Sequence, residues 1–304
     1  MLDGKVDTLL AVAEEKSFTG AARRLSLTQP AVSHHIAQLE QALGAPLFVR
    51  KKGNLELTIQ GEIAVKYAKR FRSIAAAMRR EISSAERDIR QLRVGVTHTS
   101  ESNFVMEVLT RCGQENPGLN IIIITDTIKN LYTMLTNFEV DIAIAEGKNS
   151  DPDLNSLMLS TDYLACVVSR DNPLAKNAMV TVEQLRRENL ILRGDSSSTR
   201  MLFASALESI GESIDSFHIM VEVDNVATIK SLIQKDLGVS VLPGSSCMEE
   251  ARKGKLAVLP IENLSMVRDT NLIYHKSFPH IEILQQIVRV YRDTARKYHG
   301  FGGA

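Results

Sequence analysis

The chain has 304 residues, 44% hydrophobic, 24% charged and 5% aromatic, which excludes a disordered or collagen-like protein. At roughly 100 to 200 residues per domain, this length points to about two packed domains. Lys and Arg (36) balance Asp and Glu (36), excluding a uniformly polyanion-coating protein; yet residues 1–90 carry 15 basic and 10 acidic side chains against 21 and 26 beyond, so one end is basic. Cys112, Cys166 and Cys247 are far apart with no CxxC or Cys/His ligand spacing, so the sequence predicts neither a disulfide framework nor a metal site. The absence of a basic-then-apolar leader and of any 18-residue apolar run predicts a cytoplasmic protein with no membrane partner.

Val6, Leu9, Leu10 and Ala13 fall at i, i+3, i+4 and i+7, predicting an amphipathic helix that ends before Ser17. Ser17 then caps a short helix carrying Phe18, Ala21, Ala22 and Leu25, and Ser26-Leu27 form a turn. Thr28 caps a third helix with Pro30 in its first turn, Val32, Ile36, Leu39 and Leu43 as its apolar stripe, and Gly44 at its end. Turning 100° per residue puts Pro30, His34 and Ala37 opposite that stripe, with Ser33 and Gln38 beside them. Such a short polar face, free of carboxylates, can enter a major groove about 12 Å wide; Glu40 lies further along. Residues 47–57 place Arg50, Lys51, Lys52 and the Gly53-Asn54 turn dipeptide between apolar residues, a basic-tipped hairpin. Residues 1–58 therefore read as a winged helix-turn-helix; periodicity alone also admits a three-helix module with an incidental basic loop.

Residues 58–89 contain no proline, and only Gly61 interrupts good helix formers. Ala64, Tyr67, Phe71, Ile74, Met78, Ile82, Ala85 and Ile89 step by three or four, close to a coiled-coil seam. About 32 residues at ~1.5 Å each span roughly 48 Å, a helix suited to a partner helix, with intrachain packing as the alternative. Residues 59–90 are assigned as a linker and dimerisation helix.

Beyond residue 90, segments 92–147 and 190–244 echo one another: apolar strand, Ser/Thr-rich loop, helix, strand, amphipathic helix, short strand. That order predicts two α/β lobes, with crossing strands near 162–169 and 271–275 and a terminal helix near 282–297. Lobe I takes residues 91–161 and 268–304, lobe II 162–267. Thr97, Thr99 and Ser100 occupy the first loop, and Ser196, Ser197, Ser198 and Thr199 the equivalent place in the second. Hydroxyls and free N–H groups where strands end and helices begin favour a small anion, with His98 and Glu146 as further lining; the same hydroxyls also serve as plain N-caps.

Residues 17–62, above all AARRLSLTQPAVS at 21–33 and LGAPLFVR at 43–50, closely resemble the amino-terminal signature of LysR-type transcriptional regulators, and the resemblance extends through the remaining domain order. It implies an α/β fold class with a winged helix-turn-helix domain, a long linker helix and a two-lobed effector domain similar to periplasmic solute-binding proteins. By that resemblance Gln29, Pro30, Ser33, His34 and Gln38 contact double-stranded operator DNA, and Arg50 and Lys51 approach its backbone, with Arg23 a further position. It also implies a small-molecule effector and a homodimer or homotetramer. A peroxide-responsive branch of the family senses oxidant through a cysteine pair; Cys112 and Cys166 fall on different predicted elements and read as core thiols.

None of the seven histidines sits in a recognisable catalytic motif, and no GxGxxG, P-loop or HExxH occurs, so no catalytic residue or cofactor is predicted. The expected function is sequence-specific transcription regulation controlled by a small anion. A ligand-independent nucleoid-type DNA-binding protein, a small-molecule enzyme of similar fold and a transport-associated binding protein rank below it.

Overall fold

A computed structural model describes residues 4–51, 54–85, 90–147 and 149–299. Two compact units divide the chain near residue 90.

The first unit contains α1 (Gly4–Glu15), α2 (Phe18–Leu25), α3 (Gln29–Leu43), the hairpin β1 (Phe48–Lys51) and β2 (Asn54–Leu57), and α4 (Ile59–Ala85). Ser17 Oγ accepts from Gly20 N at 3.1 Å and Thr28 Oγ1 from Ala31 N at 3.4 Å, so each hydroxyl satisfies a backbone donor that a helix start leaves over. Ser26 (φ 55°) and Gly44 (φ 68°) end α2 and α3 in the left-handed region. Leu9, Leu10, Val12, Ala21, Ala22, Val32, Ile36 and Leu47 form the core, and the buried alanines let α1 and α2 approach closely. Glu40 has a role that its position in the sequence did not suggest: its Oε1 accepts from Leu47 N at 2.7 Å and Phe48 N at 3.4 Å, fastening the hairpin to α3. The strands pair antiparallel from Phe48↔Leu57 to Lys51↔Asn54. Lys52 and Gly53 of the expected turn, and Ile89 of the expected seam, lie outside the described residues.

The second unit begins with β3 (Arg90–Val96), α5 (His98–Glu101), α6 (Val105–Glu115), β4 (Leu119–Thr125), α7 (Ile128–Thr136) and β5 (Ile142–Glu146). After β6 (Leu154–Ser169) and α8 (Val182–Arg186) come β7 (Leu190–Leu192), α9 (Ser198–Ser209), β8 (Ile219–Glu222), α10 (Val226–Gln234) and β9 (Ser240–Pro243). The chain closes with α11 (Gly244–Arg252), β10 (Leu256–Leu259), β11 (Val267–His275) and α12 (Ile281–His299). In the first half β3 lies between β4 and β5; in the second β7 pairs β8 and bridges Val239 just before β9. The weak sequence echo is thus a repeated topology, and β5 and β9, each between neighbouring strands, are buried at every position.

The crossing strand is longer than its sequence suggested. Of the 16 residues of β6, the first ten run antiparallel to β11, whereas residues 164–169 pair with β9 and β10. One lobe packs Val94, Val96, Val105, Leu109, Ile142 and Ile144 under Leu284, Ile287 and Tyr291 of α12. The other packs Leu164, Cys166, Val168, Leu190, Phe203, Leu207 and Val241. No helix among the described residues is long and apolar enough to cross a membrane.

Gly61 shows where packing overrides propensity. A Cβ at this position would lie 2.0 Å from the Leu47 carbonyl oxygen and 3.0 Å from Leu57 Cδ2, because α4 starts against the base of the hairpin. Helix propensity alone makes Gly61→Ala stabilising by up to ~1 kcal/mol. The close approach instead makes it destabilising by about 1–3 kcal/mol in denaturant unfolding, and a variant at least as stable as the parent would contradict this packing.

Candidate functional site

On α3, Gln29, Pro30 and His34 are exposed, and Ser33 and Gln38 are half-buried beside them. Their polar groups pair along the helix: Gln29 Nε2 donates to Ser33 Oγ at 2.9 Å, and Gln38 Nε2 lies 2.8 Å from His34 Nε2. The two adjacent histidines separate, since His35 turns inward and its Nδ1 sits 2.9 Å from Thr8 Oγ1. Arg50 is exposed on the hairpin, and Lys51 meets Glu56 only at 3.9 Å. A groove of about 520 Å³ joins the two elements, lined by Ser17, Phe18, Gln29, Arg50 and Asn54 among others. Exposed Arg23 lies on α2. This face offers amide, hydroxyl and imidazole groups flanked by guanidinium and ammonium groups, the inventory for base edges flanked by phosphates.

Along α4, Ile63, Tyr67, Phe71, Ile74, Met78 and Ile82 are exposed large apolar side chains. Ala64, an expected seam residue, instead packs against the core of its own unit, and Ile63 continues the exposed stripe.

In the second unit, the two hydroxyl-rich loops gather around charges. Thr97 caps α5, accepting from Ser100 N at 3.1 Å, while its Oγ1 donates to Glu146 Oε1 at 2.9 Å; Ser100 Oγ donates to the same oxygen at 3.1 Å. These two hydroxyls, from the end of β3 and the start of α5, are therefore occupied by a buried carboxylate at the end of β5. Thr99 is buried and accepts from Arg193 Nη1 at 3.2 Å, and Thr199 accepts from Arg268 Nη1 at 3.4 Å. Each threonine thus takes a guanidinium from outside its own loop: Thr99 in the first lobe from the end of β7, Thr199 on α9 from β11. Ser197 caps α9, accepting from Arg200 N at 3.3 Å; Ser198 is half-buried and Ser196 exposed. His98 stands aside, half-buried, 4.0 Å from Glu101.

Two arginines that no sequence motif marks, Arg193 and Arg268, complete this cluster. Both are buried, and Arg193 Nε, Arg268 Nε and Arg268 Nη2 have no hydrogen-bond partner, nor does Glu146 Oε2. Arg268 Nη2 lies 3.8 Å from Glu146 Oε1, an ion pair beyond hydrogen-bond reach. Burial, chiefly, lowers the Arg193 pKa, against the raising influence of Asp224 and Glu146. Arg200 differs: Asp195 at 2.7 Å and Glu222 at 2.6 Å occupy it. The signal for Arg193 was available as an arginine ending an apolar strand. Arg268 lies two residues after Met266, the last core position of lobe II, and outside the return segment that apolar patterning marks.

Two family models match the chain: "Bacterial regulatory helix-turn-helix protein, lysR family" over residues 5–62 and "LysR substrate binding domain" over residues 85–296. The HTH-type transcriptional activator CmpR of Synechocystis sp. is 30% identical over 275 residues, 89% of this chain and 88% of that protein. Full-length CbnR, solved in complex with its target DNA, has a TM-score of 0.66 at 20% identity, covering 95% of this chain and 98% of its own. The Synechocystis CcmR regulatory domain, solved with 2-PG, has a TM-score of 0.59 at 21% identity, covering 67% of this chain and 98% of its own. At these identities the two structures establish likeness of fold.

The cysteines lie on separate elements and are all buried, Cys112 on α6, Cys166 on β6 and Cys247 on α11. Burial pushes their thiols up, to about 11 for Cys112 and about 12 for the other two. Because the thiolate is the reactive form, native protein at pH 8 is expected to leave all three unmodified by a disulfide reagent, and unfolded protein to react at all three. One fast native thiol would contradict this.

Proposed function

The chain belongs to the LysR family of transcriptional regulators, and from that premise we propose that it reads operator DNA with α3 and its hairpin and answers to a small anion held between the two lobes of its effector-binding domain. The observation that carries the anion is the pair of buried arginines, Arg193 and Arg268, whose unpaired donors lie beside the Thr97–Ser100 and Ser196–Thr199 loops. A buried guanidinium is stabilised by an oxyanion more than by a threonine hydroxyl, because charge-assisted hydrogen bonds are shorter and about twice as strong. An anion that displaces Thr99 and Thr199 from the guanidiniums changes what the two halves gain from approaching each other. By population shift, that preference for one lobe arrangement becomes the regulatory signal. That a domain of similar fold has been solved with 2-PG supports a small-molecule effector here.

In the DNA-reading unit, Gln29, Pro30, Ser33, His34 and Gln38 face base edges, and Arg50 and Lys51 face phosphates, a reading supported by the CbnR–DNA complex of similar fold. The apolar stripe from Ile63 to Ile82 on α4 packs against a second copy of the chain, making a homodimer the smallest assembly and a homotetramer its natural extension. A ligand-independent nucleoid-type binder remains the second reading.

Anion binding is tested by Arg193→Met. The variant leaves the Glu146–Arg268 pair in place and removes the contacts of Arg193 to the buried Thr99 hydroxyl and to the exposed Asp224, so unfolding of the unliganded variant is measured beside it. Affinity for oxyanions is expected to fall about 10- to 100-fold in thermal-shift titration, while operator binding without anion is retained. Undiminished anion affinity would remove the cleft assignment. On the DNA side, Arg50→Ala with Lys51→Ala is expected to weaken specific and random DNA alike and to flatten the slope of log K against log salt by about 1.8. Gln29→Ala is instead expected to lower discrimination and leave the slope unchanged, and identical behaviour of the two variants would contradict the division between phosphate and base contacts.

A further inference from the structure

We propose that the ligand of the cleft is a small oxyacid carrying its own hydroxyl group, its anionic oxygens on Arg193 and Arg268 and its hydroxyl donating to Glu146 Oε2. This rests on the anion-cleft reading and goes further, because hydrogen-bond capacity and charge together define the ligand's chemistry.

Three donor atoms of these two arginines are buried and unpaired: Arg193 Nε, Arg268 Nε and Arg268 Nη2. A guanidinium accepts nothing, so these atoms call for lone-pair acceptors, which the oxygens of an anionic ligand supply. The remaining N–H groups have lesser partners: Arg193 Nη1 reaches Thr99, Arg193 Nη2 stands 4.0 Å from Asp224, and Arg268 Nη1 reaches Thr199 at 3.4 Å. A bare anion would suit these arginines. It would not suit Glu146, whose Oε1 is taken by Thr97 and Ser100 while Oε2 is buried with no donor. An ionised carboxylate only accepts, so a ligand without a donor leaves Oε2 orphaned and sets a second negative charge beside it.

The donor could be a hydroxyl or an ammonium, and charge decides between them. Two buried guanidiniums face one buried carboxylate, leaving one positive charge; Asp224 is two-thirds exposed, so water screens it. A zwitterion brings no net charge and leaves that excess buried. A hydroxylated oxyacid brings a negative charge and a donor in one small molecule. Carboxylate and phosphate share this chemistry, and the experiment separates them.

The experiment titrates the full chain with matched pairs by thermal shift: glycolate against acetate, and 2-hydroxyethyl phosphate against ethyl phosphate. The hydroxylated member of whichever pair binds is expected to be at least tenfold tighter, and glycine to bind more weakly than glycolate. In Glu146→Gln, Oε1 still accepts from Thr97 and Ser100, but an amide donor replaces Oε2, so the hydroxyl preference should shrink to within twofold. Equal binding of both members to the parent chain would overturn the hydroxyl assignment while leaving the anion cleft standing, as would an undiminished preference in Glu146→Gln. Binding of none of these oxyanions would overturn the anion-cleft reading itself. Should Glu146→Gln not fold, the matched pairs on the parent chain decide alone.

Discussion

The effector domain depends on two arginines and one glutamate held out of water together. Arg193, Arg268 and Glu146 are each buried, and removing such charges from solvent is costly unless partners compensate. Here compensation is incomplete: one carboxylate oxygen carries the hydroxyls of Thr97 and Ser100 and faces Arg268, and the other carries nothing. The unpaired atoms lie at the loops where strands of both lobes end, and the proposed anion site rests on that placement.

The strands that join the lobes also carry this chemistry. Arg268 lies on β11 directly opposite Asp162 of β6, at the point where β6 passes from pairing with β11 to pairing with β9 and β10. Asp162 in turn accepts from Ser245 Oγ at 2.6 Å and Ser245 N at 3.3 Å, tying the first turn of α11 to the crossing. A residue of the cleft and an anchor of the second lobe are therefore cross-strand neighbours. On either side of this point β6 continues into a well-packed core.

The amino-terminal unit follows a different economy of polar groups. The exposed polar face of α3 is largely satisfied internally, with Gln29 bonded to Ser33 and Gln38 paired with His34, so on the proposed reading base edges would exchange with these pairs. Glu40, on the same helix, is held by two backbone amides at the root of the hairpin, which fastens the hairpin to α3, while Glu56 is the carboxylate that lines the groove with Gln29 and Arg50.

Local patterns fixed the amino-terminal elements almost residue by residue: the Ser17 and Thr28 caps, the Gly44 stop and the stripe of Val32 and Ile36 are all local in sequence and need no tertiary information. The repeat in the effector domain was legible because strand and helix periodicities survive when identity does not. Gly61 was misread as a mere helix interruption, since the Leu47 carbonyl that requires it lies 14 positions away. The hydroxyl loops were visible, but their partners were not. Arg193 and Arg268 meet Thr99 and Thr199 across 94 and 69 residues, and Glu146 meets Thr97 across 49. The sequence by itself determined the elements, their order and the family, because those depend on short-range periodicity and contiguous motifs. Only the tertiary structure decided which hydroxyls are occupied, which arginines are buried and which polar atoms stay unpaired, because desolvation and hydrogen-bond saturation depend on neighbours that the chain brings together only by folding.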